Sequence, residues 1–176
     1  MPDRRGFTLT ELIISAGLFA LLAVIITVVL RTILISWDLQ EKRSAIDINL
    51  DRGIEEMVRD LRRSKQIQSA ANYDEIRFCQ GTTTTSCYIF YLYNVSDSYG
   101  PPPAFNQSSY QLKRAALTGD LNGTFTYGSG DVVVTDVLPP PTSDLSLSSN
   151  LLTIDLSAKR GDETIHSRTQ VRPRNV

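Results

Sequence analysis

Two places in the chain set residue types at spacings that can do chemistry. The first is Arg4-Arg5-Gly6-Phe7-Thr8-Leu9-Thr10-Glu11, followed by the charge-free run Leu12–Leu30. Gly6 has no side chain, so a peptidase can approach the backbone there closely. Glu11 sits at the edge of a run long enough to cross a membrane as a helix. A carboxylate costs roughly 2.5–3.5 kcal/mol at the centre of such a helix and less near its end, so it marks a function and needs a partner. The second place is Cys79 and Cys87, which flank Gln80-Gly-Thr-Thr-Thr-Thr-Ser86. In an oxidising compartment two cysteines this close read as a disulfide across a hairpin tip.

The remaining candidates carry less. His166 is the single histidine, and no Gly-x-Ser-x-Gly elbow accompanies the many serines. It falls in an expected strand and reads as a surface position, not a base. Two thiols and one distant imidazole make a poor zinc set. Asp120-Leu-Asn122-Gly123 resembles a fragment of a calcium loop, but further acidic ligands are missing at the required offsets and a turn accounts for it. There is no Gly-rich phosphate loop. The sequence therefore assigns no catalytic residue, no metal and no cofactor. With net charge −1 and a pI near 5.8, it has no electrostatic footprint for nucleic acid.

Gly6-Phe7-Thr8-Leu9-Thr10-Glu11 resembles the class III signal of type IV pilins and type II secretion pseudopilins. That resemblance implies cleavage between Gly6 and Phe7 by a membrane prepilin peptidase, and methylation of the new Phe7 amine. It implies that Glu11 acts in assembly, paired with the Phe7 amine of a neighbouring subunit. The implied partners are the peptidase, other pilin or pseudopilin subunits and the inner-membrane assembly platform, with membrane lipid as the surroundings before assembly. The implied location is a bacterial inner membrane, single-pass, and then a periplasmic pseudopilus or a surface pilus. Arg4 and Arg5 agree, since basic flanks stay cytoplasmic and the C-terminal part is then exported. A secretory signal peptide fits badly, because its apolar region spans about 7–15 residues and ends in a small-residue cleavage site. Val28 stands where many major pilins carry proline, so the resemblance leans to a minor subunit, most like the J-type pseudopilin or the W-type minor pilin. The competing reading is a membrane-tethered enzyme or binding module that uses the helix only as an anchor.

These residues require a positioning frame. Ile46, Leu50, Ile54, Met57, Val58 and Leu61 recur at three- and four-residue spacing, so the helix continues beyond Arg31 as an amphipathic one. Asp47, Asp51, Arg52, Glu55, Arg59, Asp60, Arg62 and Arg63 fill its other face as solvated surface, with Glu55 and Arg59 a supporting i,i+4 pair. From Phe7 to about Lys65 the helix would be on the order of 90 Å long. Gly53, inside the stripe, allows close packing or a slight bend.

Beyond about Ile67 the pattern changes. Glu75–Cys79, Cys87–Asn94, Ser109–Ala115, Asp131–Leu138, Leu151–Ala158 and Glu163–Val171 are rich in β-branched and aromatic residues, and Gly, Pro, Ser and Asn clusters separate them. That is the mark of a largely antiparallel sheet. Tyr88–Tyr93 is apolar or aromatic on both faces and should be a central strand. Lys159-Arg-Gly-Asp162 should be a tight turn. Gly100-Pro-Pro-Pro103 and Pro139-Pro-Pro141, with their serine-rich flanks, should run over the surface. The expected fold class is α+β: a long helix packed on a mainly antiparallel sheet. The expected segments are a leader (1–6), a membrane-spanning helix (7–30), its amphipathic continuation (31–66) and an exported β-rich domain (67–176).

Overall fold

The computed structural model describes residues 8–70, 74–81, 86–98, 105–148 and 151–173. Two compact units divide between Glu41 and Lys42. Helix α1 runs from Leu9 to Arg63. Eight strands follow: β1 Ser64–Ala70, β2 Glu75–Gln80, β3 Cys87–Tyr93, β4 Tyr110–Ala116, β5 Asp131–Val137, β6 Asp144–Ser148, β7 Leu151–Arg160 and β8 Glu163–Val171. The fold is α+β, as expected.

Every strand pairing is antiparallel, in the order β1-β2-β3-β4-β5-β7-β6, with β8 on the other edge of β7. β3 lies between β2 and β4, and it buries five of its seven residues. An aromatic-rich strand with no polar face needs that central place.

The apolar stripe of α1 supplies one wall of the main core. Ile46, Leu50, Ile54, Met57 and Leu61 are buried with Phe78, Phe90, Leu112, Val134, Ile154 and Leu156 from the sheet. Phe78 and Phe90 stack at 5.1 Å between ring centroids. A smaller cluster lies on the other side of the sheet, where Ile89, Tyr91 and Ala115 meet Leu121, Phe125 and Tyr127. The segment after β4 is tied down over them: Arg77 donates to the carbonyls of Leu121 and Gly123, and Tyr91 donates to the Ser129 carbonyl. Both faces of the central strands are thereby covered.

Five expectations are corrected. The helix ends at Arg63, because Ser64 caps its end (Oγ donates to Leu61 O at 2.6 Å) and already begins β1. Strand β1 was unexpected, since Ser64-Lys-Gln-Ile-Gln-Ser-Ala70 has too few apolar residues to announce a strand; pairing to β2 forms it. Strand β6 was unexpected too, lying in what read as a serine-rich surface loop. Ser143 there is buried, and its hydroxyl accepts from the Ser157 N–H. Asp60 is not solvated surface but buried, with its Oδ2 3.0 Å from Arg114 Nε on β4. Arg59 stands 4.0 Å from Asp60 rather than pairing with Glu55.

Candidate functional site

The first unit presents the N-terminal element of interest. Gly6 and Phe7 lie outside the described residues. Thr8 and Glu11 close a reciprocal cap at the start of α1. The Thr8 N–H and hydroxyl donate to Glu11 Oε2 at 3.0 and 2.9 Å, and the Glu11 N–H donates to Thr8 Oγ1 at 3.4 Å. This is the capping-box arrangement, in which residues three apart satisfy each other's backbone donors. Spacing Thr8-x-x-Glu11 was itself a readable sign of that cap.

Above it, Leu12, Ile13, Leu18, Phe19, Leu22, Val29 and Leu30 are all exposed. The helix is long and apolar enough to cross a membrane by length and composition, and none of its most apolar window is buried. At 1.5 Å per residue the rise from Glu11 to Arg31 is about 30 Å, matching the thickness of a bilayer's hydrocarbon core. The hydroxyls in and just above this stretch bond within the helix. Ser15 donates to Glu11 O, Thr27 to Ala23 O, Thr32 to Val28 O and Ser36 to Thr32 O. In lipid that leaves no hydroxyl proton unsatisfied on those four side chains. Exposed Trp37 follows six residues after Arg31, where an aromatic ring suits the headgroup level.

In the second unit, Cys79 and Cys87 are directly opposed in the β2–β3 pairing and joined by a disulfide, with Cα atoms 4.0 Å apart. Both are buried. Residues 82–85 of the tip lie outside the described residues, as do Gly100-Pro-Pro-Pro103. Pro139 and Pro140 are half-buried and Pro141 is exposed.

His166 is exposed on β8, opposite Ser157 in register, and its Nε2 lies 2.5 Å from Asp155 Oδ1 without alignment for a hydrogen bond. Ser157 Oγ donates to the Thr142 carbonyl instead of the imidazole. Asp155, Ser157 and His166 thus share one sheet face without the serine-to-histidine link that nucleophilic catalysis requires. Asp120 makes a turn: its side chain accepts from the Asn122 N–H and its carbonyl from the Gly123 N–H, both at 2.9 Å. Gly161, at φ +66°, and Asp162 turn the chain between β7 and β8.

The partners of charged residues inside the domain carry no local signal in the sequence, and Asp60 reads there as solvated surface. Asp60 and Arg114 meet between α1 and β4, and Arg114 also covers the Tyr88 ring at 4.1 Å. Glu75, buried at the start of β2, accepts from Arg77 Nε at 2.8 Å. Buried Lys113 sits over the Tyr93 ring at 4.8 Å and donates to the Gly128 carbonyl. Strand alternation places Lys113 on an inward-facing row, but only the tertiary fold reveals its partners.

No curated protein and no solved structure matches the chain. Residues 1–27 match the model of the prokaryotic N-terminal methylation motif, which supports the resemblance to type IV pilins and pseudopilins.

Proposed function

We propose that the chain is a structural subunit, of the minor kind, of a type IV pilus or type II secretion pseudopilus, and not an enzyme. In this reading prepilin peptidase cuts between Gly6 and Phe7, and the Phe7 amine is methylated. The apolar half of α1 holds the subunit in the inner membrane, with the β-rich domain exported, until other subunits and the assembly platform draw it into a filament. Glu11 then meets the Phe7 amine of a neighbour.

The observation that carries this reading is the methylation motif over residues 1–27, running into a helix whose apolar side chains from Leu12 to Leu30 are presented outward. A bare tether would need the apolar length alone. It would need neither a glycine at the cut, nor the aromatic residue after it, nor a carboxylate in the first turn. Sequencing the mature N-terminus tests the reading. The chain should begin at methylated Phe7, and Gly6→Leu should leave the precursor uncut in the membrane. Normal maturation of that variant would return the helix to the role of a simple anchor.

A further inference from the structure

We propose that the groove between α1 and β8 receives an extended acidic segment of a partner protein, which adds as a strand to the open edge of β8. Strand β8 pairs with β7 alone, so its other edge has no strand partner among the described residues. An open edge of this kind is a template for another chain unless something covers or blunts it.

Beside that edge, α1 and β8 enclose a groove of about 550 Å³. Ile54 and Val58 give it an apolar floor, and Thr169 contributes the β8 side. Arg59, Arg62 and Arg63 line it from the helix against the single carboxylate of Glu55. Arg59 is well exposed and only grazes Asp60. Among the described residues Arg62 and Arg63 have no ion-pair partner. As residues of the last turn they complement the helix dipole. That role requires neither an apolar floor nor an open strand beside it.

The three features together specify the occupant. Backbone groups of β8 supply main-chain hydrogen bonds to an added strand, and alternate side chains of that strand fall on opposite faces. The set turned toward α1 meets Ile54 and Val58 with apolar groups. Carboxylates within reach of the rim meet the guanidinium groups, which bind such anions through paired, charge-assisted hydrogen bonds. A basic segment would face three like charges and be turned away. The inference does not depend on filament assembly.

The test uses the full chain in neutral detergent micelles and a labelled nine-residue peptide alternating valine and glutamate. Saturable binding is expected, weakening as salt rises. The Arg62→Ser/Arg63→Ser double variant should lose at least tenfold in affinity, with an unchanged circular dichroism spectrum and melting temperature. Arg62→Lys/Arg63→Lys should recover part of that loss. A peptide N-methylated at every backbone nitrogen should not bind. Three outcomes each overturn the proposal: no saturable binding, equal binding of a valine–lysine peptide, or indifference to the arginine replacements. Binding that survives N-methylation would show an anion site without strand addition. Displacement of the peptide by phosphatidylglycerol vesicles would make the groove a lipid-facing surface, and that too sinks the idea.

Discussion

Gly53 of α1 lies so close to Val134 of β5 that a Cβ built on the glycine would stand 2.1 Å from Val134 Cγ2 and 3.1 Å from the Val133 carbonyl oxygen. The glycine is buried in the middle of a helix, where it costs about 1 kcal/mol relative to alanine in backbone entropy. What it allows is contact between helix and sheet without an intervening side chain. Val134 is short, stiff and wholly buried, so it has nowhere to swing.

Gly53→Ala should therefore destabilise the domain in spite of its better helix propensity. Overpacking a filled core costs about 1–3 kcal/mol, and the propensity gain offsets roughly 1 kcal/mol of that. Thermal unfolding of wild type and variant in the same detergent gives the sign. A melting temperature equal to or above wild type would show that the helix can lift off β5 freely.

The disulfide allows a second measurement. Closing the short loop between Cys79 and Cys87 restricts the unfolded chain by about 2–3 kcal/mol in the loop-entropy account. The effect should be confined to stability, since both cysteines are buried and oppose each other in a pairing that backbone hydrogen bonds already define. Cys79→Ala/Cys87→Ala should fold to the same circular dichroism spectrum with a lower denaturant midpoint, and reductant should lower the wild-type midpoint toward it. Two thiols alkylated freely in the unreduced protein would remove the basis for this.

Much of the architecture was legible because periodicity records burial. The three- and four-residue stripe from Ile46 to Leu61 is the buried face of α1, and the aromatic run Tyr88–Tyr93 is a central strand. β1 and β6 were not legible, because their residues are largely polar and their conformation comes from neighbours: Gln66, Gln68 and Ser69 are strand residues by virtue of pairing with β2. Asp60 shows the same limit within the helix. It lies at the edge of the apolar stripe, about 60° around the helix from Met57, and nothing local says that Arg114, far along the chain, will reach it. At the N-terminus the position is reversed. The Gly6-Phe7 pair and the offset of Glu11 are sequence features in themselves, while the cleavage and assembly proposed for them would need a peptidase and other subunits.

Asp74 should make stability depend on pH in the opposite sense to an ordinary surface carboxylate. It turns the chain before β2 at φ +44°. Burial, then the neighbouring Asp144 carboxylate, push its pKa up from the usual 3.8 to about 6, against a smaller lowering by the Leu145 backbone N–H. The folded chain thus holds a proton that the unfolded chain releases between those values. This contribution to stability is fully present below about pH 3.8 and is lost as the pH rises through about 6. Asp74→Asn keeps a residue tolerant of positive φ and removes the charge. It should be more stable than wild type at pH 7, and the difference should shrink steadily by pH 5. A difference independent of pH would show that Asp74 ionises as it does in the unfolded chain.

Glu11 has two candidate roles, and its contacts with Thr8 make them separable. The reciprocal cap is worth about 0.5–2 kcal/mol to the start of α1, and glutamine at position 11 can serve it as glutamate does. A charge pair with the Phe7 amine of a neighbour would do something the cap cannot. Lipid and a filament core of packed apolar helices are both nonpolar, so burial of Leu12–Leu30 hardly distinguishes one from the other. A carboxylate that finds a cation in the filament does distinguish them, since attraction in a medium of low dielectric is little screened. Left unpaired there, the same carboxylate is costly, so the contact also sets the register between subunits. Three variants at matched membrane levels separate the roles. Glu11→Val loses cap and charge, Glu11→Gln loses only the charge, and Thr8→Ala weakens only the cap. All three should insert and be cleaved. Glu11→Val and Glu11→Gln should both enter filaments poorly, while Thr8→Ala should enter nearly as wild type does. If Glu11→Gln assembles normally and Thr8→Ala does not, the cap is the function of Glu11 and the amine pair is not formed.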